Sequence, residues 1–158
     1  NLFLDLILIS LILTLFFNFS KKLKFKIFLG NGGSLMLGFI LSFFIIYLYR
    51  YENIHPGLLI WPVAYLVFEF LSVSLIRLKR KKNIFTPGKD HLHHLLFKKF
   101  NSSHYKTTAS ISLINIIFIL LGDFVYNFSN LLSLILFIIC FFSYLFFRLY
   151  FERKLISN

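Results

Sequence analysis

Long apolar stretches alternate with short polar segments along this sequence. Five apolar windows are long enough for transmembrane helices, because about 20 helical residues cross the roughly 30 Å hydrocarbon core of a bilayer. These windows are 2–19, 33–49, 57–76, 109–126 and 131–147. The pattern predicts an all-α integral membrane protein with about five transmembrane helices.

The basic residues are distributed unevenly among the polar segments. Of the 17 Lys and Arg residues, all but Arg50 lie in segment 20–28, in segment 77–108 or after the last window. Alternate polar segments of a multi-pass protein face the same side, and the positive-inside rule makes that side the cytoplasm. We therefore expect the N-terminus outside, the C-terminus inside, and two cytoplasmic active-site loops, 20–32 and 77–108.

Composition and charge agree with a membrane protein. The chain is 58% hydrophobic and 15% charged, with a mean hydropathy of +0.80, which is unlike a soluble domain. A formal net charge of +11 also occurs in nucleic-acid-binding proteins, but cations between membrane spans are better explained by topology and anionic head groups. We expect membrane lipids as partners and no nucleic acid. The sequence leaves the oligomeric state open, and a homodimer is compatible with it.

The first residues bear on the extent of the protein. The chain opens on Asn1 rather than Met, almost directly in an apolar window, with no basic segment before it. No cleavable signal peptide is apparent. We expect residues 1–158 to be the C-terminal part of a polytopic membrane domain.

The segment GKDHLHHLLFKKF, residues 88–100, places His91, His93 and His94 in a long basic loop. Loops of this length without a role are uncommon, and the segment reads as a short amphipathic helix at the membrane surface. On a regular helix His91 and His94 would share a face while His93 points away, which disfavours a three-histidine metal site. The imidazoles could bind phosphate or shuttle a proton. Alternatively, they only decorate an interfacial helix.

A second informative segment, KIFLGNGGSLMLGF at residues 26–39, brings glycines and Ser34 to the start of a predicted helix. The free backbone N–H groups and the positive end of a helix suit phosphate binding. Small residues in this position could equally serve helix packing.

Three ordered motifs, IFLGNGGSLMLGF, FEFLSVSLIRLKR and NIFTPGKDHLHHLLF, resemble the C-terminal half of the polyprenyl-phosphate N-acetylhexosamine-1-phosphate transferase family. The resemblance covers most of residues 15–100, and the last two windows match by position and hydropathy only. It implies transfer of a sugar 1-phosphate from a UDP-N-acetylhexosamine to polyprenyl phosphate. UMP would be released, Mg²⁺ would be the cofactor, and the reaction would start cell-envelope glycan synthesis at the cytoplasmic face of the bacterial inner membrane.

The resemblance also implies roles for individual residues. It makes His91, His93 and His94 catalytic and assigns Asn31 to the metal, where the family usually has an Asp; a neutral amide should hold Mg²⁺ less well. Lys89 joins the expected substrate-binding residues because it lies beside the imidazoles. The other expected substrate-binding residues match the glycine and basic motifs: Gly30, Gly33, Ser34, Arg77 and Arg80.

Departures from the family motifs keep alternatives open. Glu69 replaces a usual Asp inside an apolar window, where an acid is either functional or a packing group. The family's acidic motifs lie upstream of the matched region, so this chain alone is expected to be inactive. Gly88 stands where the family often has an Asp, and Asp90, two positions later, either compensates for it or does not. Asn31 and Gly88 favour a non-catalytic relative that binds lipid phosphate or nucleotide sugar. A transporter fragment, suggested by Glu69 and Asp123, is a weaker alternative.

Overall fold

The computed structural model describes residues 30–84, 86, 88 and 90–157, together with Ile9 and Ile12. Every regular element in these residues is a helix. The chain divides into two compact units, one ending at Tyr51 and the other beginning at Glu52. The predicted span 2–19 lies outside the described residues, apart from the two isolated isoleucines.

In the first unit, helix α1 runs from Gly30 to Tyr51. Gly30 has a φ of +65°, a left-handed conformation that glycine adopts without the steric cost of a Cβ. The Ser34 hydroxyl donates to the Gly30 carbonyl at 2.7 Å within the first turn. From Gly32 to Tyr51 the helix is long and apolar enough to cross a membrane, which agrees with the predicted window 33–49.

The second unit consists of helices joined by short connections. Its elements are α2 (Pro56–Leu59), a 3₁₀ turn (Trp61–Val63), α3 (Ala64–Lys79), α4 (Leu92–Lys99), α5 (His104–Tyr126) and α6 (Asn130–Ser157). Helix α5 and the stretch Asn130–Lys154 of α6 are also long and apolar enough to cross a membrane. The described residues therefore form an all-α protein with three candidate membrane-spanning helices.

The predicted span 57–76 is not one regular helix. The α2 turn starts with Pro56 at its first position, and a 3₁₀ turn containing Pro62 separates it from α3. Proline has no N–H to donate and its ring crowds the preceding turn, so it interrupts an α-helix. Helix α3 has 16 residues and is about 24 Å long, which is shorter than a typical hydrocarbon core.

The core of the second unit is aromatic and lies where α3, α5 and α6 meet. The fully buried ring of Phe68 is at its centre, with ring centroids of Phe118, Phe137, Phe141 and Tyr144 between 4.7 and 5.9 Å away. Aromatic pairs at such distances add to the free energy of burial. The buried members of this cluster are Trp61, Ala64, Tyr65, Phe68, Leu92, Leu96, Tyr144 and Phe151.

Helix α4 covers one end of this core and carries part of the histidine segment. Its Leu92 and Leu96, four residues apart, are buried in the aromatic cluster, while Lys98 and Lys99 are exposed. Spacing of this kind puts two side chains on one face of a helix. The predicted amphipathic helix is therefore confirmed over Leu92–Lys99, with its apolar face against α5 and α6.

The 3₁₀ turn is attached to the long helices through Trp61. Its indole is fully buried against Gly122 of α5, where a Cβ atom would overlap the ring. The indole Nε1 donates to the Ser133 hydroxyl at 2.9 Å, and that hydroxyl donates to the Gly57 carbonyl at 2.7 Å. The Ser133 side chain of α6 thus satisfies one polar group of α2 and one of the 3₁₀ turn.

Helix α3 ends in a Schellman motif. The Lys82 N–H donates to the Arg77 carbonyl at 2.9 Å and the Lys81 N–H to the Leu78 carbonyl at 3.0 Å. Lys81 has a φ of +54°, the left-handed conformation that this motif requires and that glycine usually provides. The motif turns the chain back, so that the following loop runs past the last turn of α3.

Candidate active site

Arg77 holds the loop that precedes the histidines. Its side chain is buried, with Nε 2.8 Å from Asp90 Oδ2 and Nη2 3.0 Å from Asp90 Oδ1. Nη1 donates to the carbonyls of Ile84 and Thr86 at 2.8 and 2.6 Å. A forked guanidinium–carboxylate pair fixes both distance and orientation. The hydrogen bonds from Arg77 lower the pKa of the Asp90 carboxyl to about 2.

Gly88 leaves the space that this ion pair occupies. A Cβ atom on residue 88 would overlap both Asp90 Oδ1 and Arg77 Nη2. Glycine therefore suits this loop for a steric reason. Asp90 is committed to Arg77 through both carboxylate oxygens, so it does not stand in for an acid at position 88.

Glu69 connects α3 to the first turn of α4. Its carboxylate is buried and accepts hydrogen bonds from the Leu92 N–H at 2.7 Å and the Tyr144 hydroxyl at 2.5 Å. The first N–H groups of a helix lack internal partners and carry partial positive charge. Glu69 thus caps α4, which explains an acid in an otherwise apolar window.

Arg148 provides the counter-charge to Glu69. Its side chain is 1% exposed, and Nη1 lies 3.2 Å from Glu69 Oε1 and 2.9 Å from Ser72 Oγ. Nη2 donates to the Asp90 carbonyl. Its Nε is buried and has no hydrogen-bond partner among the described residues. In the sequence Arg148 is one of the basic residues after the last apolar window, but α6 continues to Ser157 and carries it into the core.

The three histidines form a row at the start of α4. His91 precedes the helix with an extended backbone (φ −70°, ψ 149°), so it does not share a helical face with His94 as predicted. Ring centroids are 5.6 Å apart for His91 and His93 and 4.1 Å apart for His93 and His94. Partial burial, reinforced by the neighbouring imidazoles, lowers the pKa of His93.

Glu69 orients one member of this row. His91 Nδ1 lies 3.3 Å from Glu69 Oε1, and the His91 side chain is 37% exposed. A carboxylate at one ring nitrogen sets the orientation of an imidazole and leaves the other nitrogen for a ligand. The site therefore combines the buried carboxylate of Glu69 with imidazole groups that reach the surface.

The remaining predicted site residues lie in several places. Arg80 projects from the end of α3 and forms an ion pair with Glu152 of α6, with Nη1 2.8 Å from Oε1. Lys89 is outside the described residues. The glycine motif belongs to the first unit: Gly30 and Gly33 lie in the first turns of α1, with Ser34 exposed beside them. The side chain of Asn31 lies outside the part of the chain that the structure describes.

The two carboxylates next to the histidines, those of Glu69 and Asp90, are not free to bind Mg²⁺. Glu69 is held by Arg148, Tyr144 and the cap of α4, and Asp90 is held by Arg77. In the part of the chain that the structure describes, no group of three or more His, Cys, Asp or Glu side chains could hold a metal ion. Mg²⁺ prefers carboxylate and water oxygens in an octahedral arrangement.

The fold and the site define a helical membrane protein with a histidine-bearing loop clamped against its core. The chain is similar to the undecaprenyl-phosphate alpha-N-acetylglucosaminyl 1-phosphate transferase of Escherichia coli strain K12, with 24% identity over 126 residues, which is 77% of this chain and 34% of the relative. It is 34% identical over 107 residues to a probable undecaprenyl-phosphate N-acetylglucosaminyl 1-phosphate transferase of Bacillus subtilis, covering 66% of this chain and 28% of that protein. The Pasteurella multocida transferase is 27% identical over 77 residues, 48% of this chain and 22% of the relative.

These comparisons confirm the family resemblance given by the motifs. The curated homologues are undecaprenyl-phosphate N-acetylglucosaminyl 1-phosphate transferases, and the chain is homologous to a part of them. It matches between 22% and 34% of the length of the three relatives described. No protein-family model matches the chain, and no solved structure gives a significant match.

Proposed function

We propose that this chain is part of a membrane enzyme that transfers N-acetylhexosamine 1-phosphate, in particular N-acetylglucosamine 1-phosphate, to undecaprenyl phosphate. The observation that supports it is the row of three histidines, held next to the core by Arg77 and Glu69, in a segment homologous to the transferases named above. The match to the Escherichia coli transferase covers 77% of the chain, and a continuous match of that length includes residues 88–100 wherever it begins.

In the proposed reaction the donor is a UDP-N-acetylhexosamine. A phosphate oxygen of undecaprenyl phosphate attacks the sugar-bearing phosphorus, the phosphoanhydride bond to the nucleotide breaks, and UMP leaves with the bonding electrons. Donors aimed at the phosphate oxygens lower the barrier of such a transfer. The imidazoles of His91, His93 and His94 can donate these hydrogen bonds or move a proton, and Glu69 keeps His91 oriented for this role.

Arg77 acts as a positioning residue in this proposal. All the described hydrogen bonds of its side chain go to the loop, through Asp90, Ile84 and Thr86. It therefore keeps the histidine row in place, while the exposed Lys98 and Lys99 remain near the surface to attract anionic substrates. Arg80, Lys89 and the glycine motif of α1 are proposed as further substrate contacts.

The proposed arrangement in the membrane follows the distribution of charge. The region of α2 and α3 would cross the bilayer together with 2–19 and the three candidate spans, giving five spans with the N-terminus outside. The site would then face the cytoplasm of a bacterial inner membrane. Mg²⁺ is proposed as cofactor, with Asn31 among its ligands. Because the family's acidic motifs lie upstream of the matched region, the chain alone is proposed to be inactive.

An assay of UMP release tests the proposed function. Membranes from cells expressing the complete gene receive UDP-N-acetylglucosamine, undecaprenyl phosphate and Mg²⁺, and a His93→Ala variant is compared with His104→Gln, which alters an exposed histidine on α5. We expect release that Mg²⁺ chelation and His93→Ala abolish and that His104→Gln preserves. Absence of release with any of several UDP-sugars, but release after Asn31→Asp, would instead identify a non-catalytic relative.

A further inference from the structure

A groove between α3 and α6 has the chemistry of a lipid-phosphate site. It encloses about 440 Å³, and its walls include Leu75 of α3 and Leu145 and Leu149 of α6. Lys79, Arg80 and Arg153 lie on its lining as well. Apolar walls with cations at one end match the two parts of a phospholipid, its acyl chains and its charged head group.

The charge balance of this groove favours an anion. Arg80 is neutralised by Glu152 through their ion pair. Lys79 and Arg153 are exposed, and within the described residues neither side chain forms a hydrogen bond or ion pair. Two cations are therefore left over at the end of the groove. Basic pockets between membrane helices on the cytoplasmic side are typical binding sites for anionic head groups.

The position of the groove also fits a lipid of the membrane. Helix α6 is long and apolar enough to span a bilayer up to Lys154, so Arg153 lies at the end of that stretch. Lys79 and Arg80 lie at the corresponding end of α3, just before the loop. Cations at the ends of apolar helices are found at the level of the lipid head groups.

We infer that this groove binds an anionic phospholipid of the surrounding bilayer, with Lys79 and Arg153 at its phosphate and the leucines along its acyl chains. None of the three histidines lines the groove, and of the substrate contacts proposed above only Arg80 lies on it. Bound lipid would connect α3 to α6 beside the ion pair of Arg80 and Glu152. A phospholipid fits better than a soluble phosphate compound because the leucine walls offer no polar partner to one.

Native mass spectrometry of the complete chain in detergent tests this inference. The lipids added are phosphatidylglycerol, phosphatidylcholine with the same acyl chains, and undecaprenyl phosphate. We expect wild type to bind phosphatidylglycerol more tightly than phosphatidylcholine, and Lys79→Gln/Arg153→Gln to bind it roughly 30-fold more weakly. The control Lys82→Gln/Lys106→Gln removes two exposed lysines that do not line the groove and should bind like wild type. Circular dichroism checks that all variants remain helical.

A second variant tests the groove without changing its charge. Leu145→Trp fills the apolar wall, and we expect it to weaken phosphatidylglycerol binding while leaving Lys79 and Arg153 in place. The inference would be overturned if the groove variant and its control lost phosphatidylglycerol binding equally. It would also be overturned if Leu145→Trp bound the lipid like wild type. In either case binding would reflect the general positive charge of the chain and not this groove. Displacement of phosphatidylglycerol by equimolar undecaprenyl phosphate would assign the groove to the acceptor and overturn it too. Binding is read without catalysis, so a failed transferase assay leaves this test intact.

Discussion

Arg148 Nη1 lies 3.2 Å from Glu69 Oε1, and both side chains are less than 10% exposed. This pair connects α6 to α3. Through Glu69 it supports the cap of α4, and through the second guanidinium nitrogen it holds the carbonyl of Asp90. The last helix thus takes part in fixing the histidine segment, although no residue of the recognised motifs lies on it.

Replacing Arg148 should leave Glu69 as a buried charge without its counter-charge. We expect Arg148→Met to lower the free energy of unfolding by about 3 kcal/mol or more, as in other buried pairs that lose one partner. Arg153→Met, which removes an exposed arginine on the same helix, should change it by less than about 1 kcal/mol. Unfolding in detergent, followed by circular dichroism, measures both variants.

A double variant separates charge pairing from packing in the same experiment. Glu69→Leu/Arg148→Met removes both charges, and we expect it to be more stable than Arg148→Met alone, because no unpaired charge remains buried. The single variant Glu69→Leu completes the comparison: if the losses of Glu69→Leu and Arg148→Met added up to the loss of the double variant, Glu69 and Arg148 would not be energetically coupled.

Adding a methyl group at residue 88 should disturb the clamp between Arg77 and Asp90. We expect Gly88→Ala to displace this pair, since its Cβ would overlap atoms of both side chains. The loop between α3 and α4 contains trypsin sites at Arg80, Lys81, Lys82 and Lys89. When the Arg77–Asp90 pair is displaced, trypsin should cut this loop several-fold faster in the variant than in wild type. Gly38→Ala is the control, because no described atom lies within 4 Å of a Cβ at that position. Equal cleavage of both variants would contradict the steric account of Gly88.

The end of α3 offers a site for stabilisation. Lys81 has a φ of +54° in the Schellman motif, and Lys81→Gly should raise the free energy of unfolding by about 1 kcal/mol by removing the Cβ strain. Lys79→Gly removes the same charge two residues earlier, at the last residue of the helix, and should lower it, because glycine gains nothing there and loses more backbone freedom on folding. Thermal unfolding measures both variants. Higher stability of Lys81→Gly together with lower stability of Lys79→Gly would support the Schellman motif, and lower stability of both variants would contradict it.

The Arg77–Asp90 pair should make stability depend on acid pH. The folded-state pKa of Asp90 is about 2, below the value of about 3.9 expected in the unfolded chain. The contribution of the pair is therefore complete above about pH 4 and is lost as pH falls toward 2. Asp90→Asn should remove this part of the pH dependence. Unfolding midpoints of wild type and Asp90→Asn are measured between pH 2 and 6. We expect the difference between the two midpoints to be smaller at pH 2 than at pH 6.

Several features of the fold could be predicted from local patterns alone. Long apolar runs indicate α1, α5 and α6, because helix length and hydropathy are properties of consecutive residues. The spacing of Leu92 and Leu96 likewise predicts α4. Pro62 is a local signal for the interruption before α3, and the prediction of a regular helix over 57–76 was wrong because the apolar run outweighs one proline in hydropathy.

The composition of the site depended on tertiary structure. Glu69 and Arg148 are 79 residues apart in sequence, and no local pattern shows that helix packing brings their side chains together in the core. In its local sequence Arg148 is only one more basic residue after an apolar window. Gly88 likewise shows only that the Asp usual in the family is absent at this position. By itself the sequence determined the helical membrane class, the amphipathic α4 and the family resemblance, since each is encoded in short stretches. Only the packing of α3, α4 and α6 decided which charges are buried, because burial depends on neighbours that are distant along the chain.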